Sequence, residues 1–218
     1  MEEIVKIFVI TILAEIVAGV LLIMIGGVFS KSARWVLTAT LARLLDIDVE
    51  FVFRSKREAD EDLRHEIGRA SFVYLMTGRG NELQRDTFEK AFDFDPQGGE
   101  TRFKILLPRA RPDEQPDWTA QREGELASFD KAYGSGILGN QIETTVRFLA
   151  AHVAAGKVEL RHFHYPHIGR LLITDRVVYF TPYRTDAHGR DSRVIKYRRG
   201  GEMYDFFLRL FNQLWNYA

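Results

Sequence analysis

The run "IFVITILAEIVAGVLLIMIGGVF" at 7–29 constrains this chain more than any other stretch, because only Thr11 and Glu15 interrupt its apolar character. About 20 apolar residues in a helix span the roughly 30 Å hydrocarbon core of a bilayer, so the run predicts a membrane anchor over 1–30. A cleaved signal peptide would open on a basic segment, whereas Glu2 and Glu3 precede Lys6 here. Lys31, Arg34 and Arg43 follow the run and Lys6 alone precedes it, which predicts a single-pass protein with its N-terminus outside and its body cytoplasmic. The absence of cysteine agrees with a reducing compartment. The lipid bilayer is therefore an expected partner.

A carboxylate inside such a run costs about 2.5–3.5 kcal/mol and calls for an offsetting contact. Glu15 shares one helical face with Ala18, Gly19 and Gly26, and small residues beside a polar one describe a helix–helix interface. Self-association into a homo-oligomer through that face is the resulting expectation. The segment 31–55 reads as an amphipathic linker carrying Trp35 near its start, either lying along the membrane surface or prolonging the helix.

Beyond the linker, 56–218 alternates between helical and strand patterns. Strands are predicted at "SFVYLMT", "RFKILLP", "KVELRHF", "GRLLIT", "RVVYFTPY" and "RVIKY", with helices leading to Ala70, from the turn "GRGNELQ" to about Phe92, over 119–133 and 138–155, and at the C-terminus. The last of these carries Met203, Phe206, Phe207, Leu210, Phe211, Leu214 and Trp215 at helical spacing, a face suited to core packing. Continuous apolar strands separated by helices imply a parallel or mixed sheet covered on both faces. Thirty basic and thirty acidic residues balance, so no global charge argues for nucleic acid.

The order "SFVYLMTGRGNEL", "FEKAF", "FKILLP", "VELRHFHYP", "GRLLITDRVVYFTPY" and a closing aromatic helix resembles one half of the phospholipase D-like superfamily. The resemblance implies an α/β/α sandwich with a mixed central sheet, and two halves pairing to complete a site. The superfamily's signature is a histidine nucleophile, a lysine two residues on and an aspartate five further. Here Arg170 matches the lysine and Asp175 the aspartate, but Ile168 stands where the histidine belongs. His164 and His167 are the neighbours that could replace it, with Arg170 holding phosphate.

The resemblance therefore implies a membrane-anchored, oligomeric sensor or effector, of the kind found in bacterial antiviral defence, whose degenerate domain binds a phosphate-bearing ligand or a protein. The alternative is a phosphodiesterase, nuclease or phospholipase, with a non-standard site completed across a dimer. Whether the chain is an enzyme stays open at this point, and no cofactor is expected. Arg170, Arg176, Arg184, Arg193, Lys196 and Arg198 are candidates for binding a nucleotide, nucleic acid or anionic lipid, against the reading of a solvated, aggregation-resistant hairpin edge. His162, His164 and His167 also raise a zinc reading, disfavoured because no carboxylate pair or cysteine stands at ligand spacing, and no metal is expected. "GRGNEL" at 78–83 could meet an anion at a helix start, but an ordinary turn is the simpler reading.

Overall fold

The computed structural model describes residues 2–44, 47–84, 88, 91–92, 103–113, 115–134 and 136–218, with some side chains of the first two helices left out. The chain divides into two compact units, 1–51 and 52–218.

The first unit holds helices α1 (Glu2–Phe29) and α2 (Lys31–Leu44), with Ser30 between them accepting a hydrogen bond from the Arg34 amide at 3.0 Å. Among the described residues no helix is long and apolar enough to cross a membrane. This corrects the single-pass anchor and its outside-to-cytoplasm orientation, and leaves the bilayer as a partner without support. Glu15 and Ala18 are exposed, and nothing lies within 4 Å of where a Cβ on Gly19 would sit; the surroundings of Gly26 fall outside the described residues.

A seven-stranded mixed sheet runs in the order β1-β7-β6-β5-β2-β3-β4, with β1 (Val49–Phe53) and, within the second unit, β2 (Val73–Met76), β3 (Phe103–Pro108), β4 (Val158–Phe163), β5 (Gly169–Thr174), β6 (Val177–Pro182) and β7 (Val194–Arg198). Strands β2, β3 and β4 run parallel, while β5, β6 and β7 form an antiparallel meander joined to β2. All six residues of β5 are buried, which requires cover on both faces.

One face is covered by α6 (Glu202–Tyr217), whose aromatic stripe stacks Phe211 on Tyr74 and Phe207 on Phe180. Trp215 of the same helix lies beneath Lys104 and Arg161, so cations as well as rings tie α6 to β3 and β4. On the opposite face lie α3 (Lys56–Arg69), α4 (Trp118–Ala127) and α5 (Ile137–Ala154). Ser55 caps α3 by accepting from the Glu58 amide, and the Glu58 carboxylate turns back to the Arg54 amide at 2.6 Å, a variant of the capping box. Ala59, Leu63 and Ile67 are its buried side, at spacings of four.

Asp117 caps α4. That helix stops at Ala127, six residues before the predicted end at Tyr133, and the chain then turns, the Tyr133 amide bonding the Asp130 carbonyl at 3.0 Å; the Glu123 carboxylate accepts from the Gly136 and Leu138 amides at 2.7 Å. Strand β1 was not among the predicted elements. The predicted helix after "GRGNELQ" falls largely outside the described residues.

Candidate anion-binding cleft

The cleft opens where parallel β2 ends beside the start of β5, the position at which mixed and parallel sheets commonly hold ligands. It encloses about 830 Å³, open solvent at the mouth included. Beyond Met76 the chain continues the ladder with the Thr77 amide bonded to the Leu106 carbonyl at 3.2 Å, then turns at Gly80, whose φ of +72° suits glycine. The turn feeds a short 3-10 segment, Asn81–Gln84, that brings Glu82 back over Thr77 to accept its hydroxyl at 2.9 Å.

Arg170 reaches Glu82 from β5, its Nε lying 3.0 Å from a carboxylate oxygen but outside hydrogen-bond geometry, and its side chain is 7% exposed. Lys56, the first residue of α3, completes the floor and pairs with Asp60 at 3.4 Å. Burial alone would raise the Glu82 carboxyl, yet Arg170, Lys56 and the Thr77 hydroxyl together hold it below the usual range. Burial and then the neighbouring Arg170 charge push the Lys56 amine down.

The walls come from four further places. Arg122 of α4 donates to the Arg184 carbonyl at 2.8 Å, pairs with Glu125 and lies over the Tyr183 ring. Arg79 bonds the Tyr133 hydroxyl and Gln141. His188, on the β6–β7 connection, meets Asp130 at 2.9 Å, with Gly189 and Arg190 following it along the rim. Tyr183 accepts from the Gly78 amide at 2.9 Å and is wedged between two glycines: a Cβ at Gly78 or Gly189 would come within 3.1 or 3.0 Å of its ring.

Five cationic side chains and one carboxylate line this cleft. The flanking carboxylates Asp60, Glu125, Asp130 and Asp191 lie outside the lining and pair with Lys56, Arg122, His188 and Arg190, so the lining itself is cationic while lining and flanks together sum to zero with His188 neutral.

Of the residues singled out in the sequence, Arg170 and His167 line the cleft. His167 has both ring nitrogens buried without a hydrogen-bond partner, and burial, followed by the Arg122 charge, pushes its pKa down to about 4. His162 and His164 do not line the cleft, and among the described residues no His, Cys, Asp and Glu group could hold a metal. Asp175 lies past the far end of β5, roughly 16 Å along the strand from Arg170, where it accepts the Ser71 amide. It is therefore placed to orient nothing in the cleft.

The predicted basic hairpin also separates. Lys196 is buried against Asp62 at 3.1 Å, Arg176 pairs with Glu66 at 3.0 Å, and Arg184 pairs with Asp186 at 2.6 Å. Arg193 and Arg198 lie outside the cleft. The sequence reading missed Lys56, Arg79, Glu82, Arg122 and His188, and preferred an ordinary turn at "GRGNEL", whose Arg79, Asn81 and Glu82 side chains line the site.

Fold and site together define a mixed α/β protein with a seven-stranded sheet and a cationic cleft at the end of β2. No family model and no curated protein matches this sequence. Among solved structures, the chain is similar to TrmBL2, described as an archaeal chromatin protein whose structure shows a novel mode of DNA binding, with 20% identity and a TM-score of 0.47. The match covers 86% of this chain and 61% of that one, so the chain spans less than two thirds of its neighbour.

These findings give the phospholipase D-like resemblance no support, and the geometry agrees: exposed Ile168 holds the nucleophile's position, Arg170 is occupied by Glu82, and Asp175 is remote. The assignment to that superfamily's sandwich, the membrane-anchored defence sensor and the phosphodiesterase alternative are corrected accordingly.

Proposed function

We propose that the unit 52–218 binds nucleic acid, engaging phosphate in the cleft between β2, β5 and α3. The observation that carries this reading is the convergence of Lys56, Arg79, Arg122, Arg170 and Arg190 on one cleft that holds a single carboxylate. Arginine forks suit phosphate oxygens, and partial burial strengthens each contact. Binding by ion pairing makes affinity fall with salt, since each phosphate engaged releases condensed counterions.

The test is fluorescence anisotropy of the full chain with labelled single-stranded and duplex oligonucleotides at several salt concentrations. Binding that weakens with salt, and weakens further in Arg79→Gln and Arg190→Ala, supports the reading. Equal affinity in both variants and the parent chain overturns it. These two residues are preferred over Arg170 because truncating Arg170 leaves the buried Glu82 charge uncompensated.

A further inference from the structure

The floor of the cleft already holds an anion of its own. Glu82 is the one carboxylate in the described lining, beside Lys56 and Arg170. Its Oε1 atom lies 3.0 Å from Arg170 Nε and accepts the Thr77 hydroxyl at 2.9 Å. Arg170, Lys56 and that hydroxyl keep the carboxyl ionised at neutral pH, so it competes as a full charge for the cations a phosphate would use.

The contact is built to be exchanged. Arg170 Nε lacks hydrogen-bond geometry to Glu82 and has no other hydrogen-bond partner among the described residues, so charge alone holds the two together. A phosphate can give the same guanidinium the aligned hydrogen bonds that Glu82 does not. Arg170 is also the less exposed of the pair, 7% against 14%, so a ligand reaches the guanidinium as the carboxylate moves off it. Fully buried Leu83 fixes the backbone of the short turn, which leaves that motion to the Glu82 side chain.

At the floor this exchange replaces one anion by another, and a single phosphate gains little from it. The rim differs: Arg190 is 66% exposed, and its pairing with Asp191 at 3.5 Å is screened by water. A strand brings further phosphates to the rim and gains contacts there that one phosphate lacks.

We propose that Glu82 is an internal competitor of phosphate, holding Arg170 until a phosphodiester displaces it, and that it thereby restricts the cleft to ligands carrying several phosphates. This rests on the nucleic-acid reading above and adds the residue that sets its selectivity.

The experiment measures binding of the full chain to a labelled single-stranded oligonucleotide by fluorescence anisotropy, and to inorganic phosphate by its competition with that strand. Glu82→Gln removes the charge and keeps an oxygen for the Thr77 hydroxyl. It is expected to bind both ligands about tenfold tighter than the parent, as one charge-assisted contact set free would give. Asp191→Asn removes a negative charge at the exposed rim and reads the general effect of charge, with a gain of about twofold. Because Glu82→Gln leaves Arg170 unpaired, its thermal unfolding temperature should fall, and inorganic phosphate should raise it by more than it raises the parent's. If that variant does not fold, Glu82→Asp, whose charge is drawn back by one methylene, carries the same comparison.

A folded Glu82→Gln chain that binds the strand no tighter than the parent, or gains no more than Asp191→Asn, overturns this inference while leaving nucleic-acid binding in place. Inorganic phosphate binding the parent as tightly as the strand overturns the selectivity. Failure of the parent and every folded variant to bind the strand overturns both this inference and the nucleic-acid reading.

Discussion

His167 sits in the cleft wall as a neutral imidazole with neither ring nitrogen bonded, and the consequence is a dependence of stability on pH. Its folded pKa of about 4 lies below the ordinary 6.5, so between those values the unfolded chain holds a proton that the folded chain refuses. Stability is therefore full above about pH 6.5 and falls on acidification toward pH 4, by an amount on the order of 3 kcal/mol. Urea unfolding of His167→Phe across this range should show a flatter profile, with stability at pH 7 equal to or above the parent's because two unbonded polar atoms are gone. Glu82 acts in a lower window: its depressed carboxyl pKa contributes stability above about pH 4.5 that is lost as the pH drops through the folded value. Tyr183 gives a third residue-scale expectation. Gly189→Ala should cost about 1–2 kcal/mol in thermal unfolding and weaken oligonucleotide binding, since the added methyl meets the ring that joins the β6–β7 connection to Gly78.

At the level of elements, Ser55 holds the start of α3 and thereby Lys56. Ser55→Ala should cost about 1 kcal/mol in chemical denaturation and reduce anion binding through the loosened first turn, without touching the cleft itself. Helix α6 should be far more sensitive: Phe211→Ala removes a fully buried ring stacked on Tyr74 and is expected to cost about 3–5 kcal/mol. Periodicity made these elements legible. The stripe from Met203 to Trp215 marked α6, and six apolar runs marked β2 to β7. Strand β1 carried a signal too, since Ile47, Val49, Phe51 and Phe53 alternate, but the charged run from Arg54 drew the boundary past it. The cleft was not legible in the same way. Lys56, Arg79, Arg122, Arg170 and Arg190 come from separate segments with no shared spacing, and folding alone assembles them. The basic hairpin misled for the converse reason: Asp62 and Glu66, more than a hundred residues before their partners, neutralise Lys196 and Arg176.

Across the molecule, protection should follow the sheet order. Amide exchange is expected to be slowest at β5 and β2, which have a strand on either side and full burial at most positions, and faster at the edge strands β1 and β4. Exchange slowest at β4 would contradict this core. The same order sets a timetable for a ribosome making the chain. Val73 pairs with Thr174 and Met76 with Leu171, so β2 leaves the exit tunnel about a hundred residues before the strand that completes its second side. Until then an apolar strand has one unfilled edge, and the nascent chain must be shielded from its neighbours on a polysome. Release before Thr174, by a premature stop codon, should yield aggregates instead of a smaller folded protein.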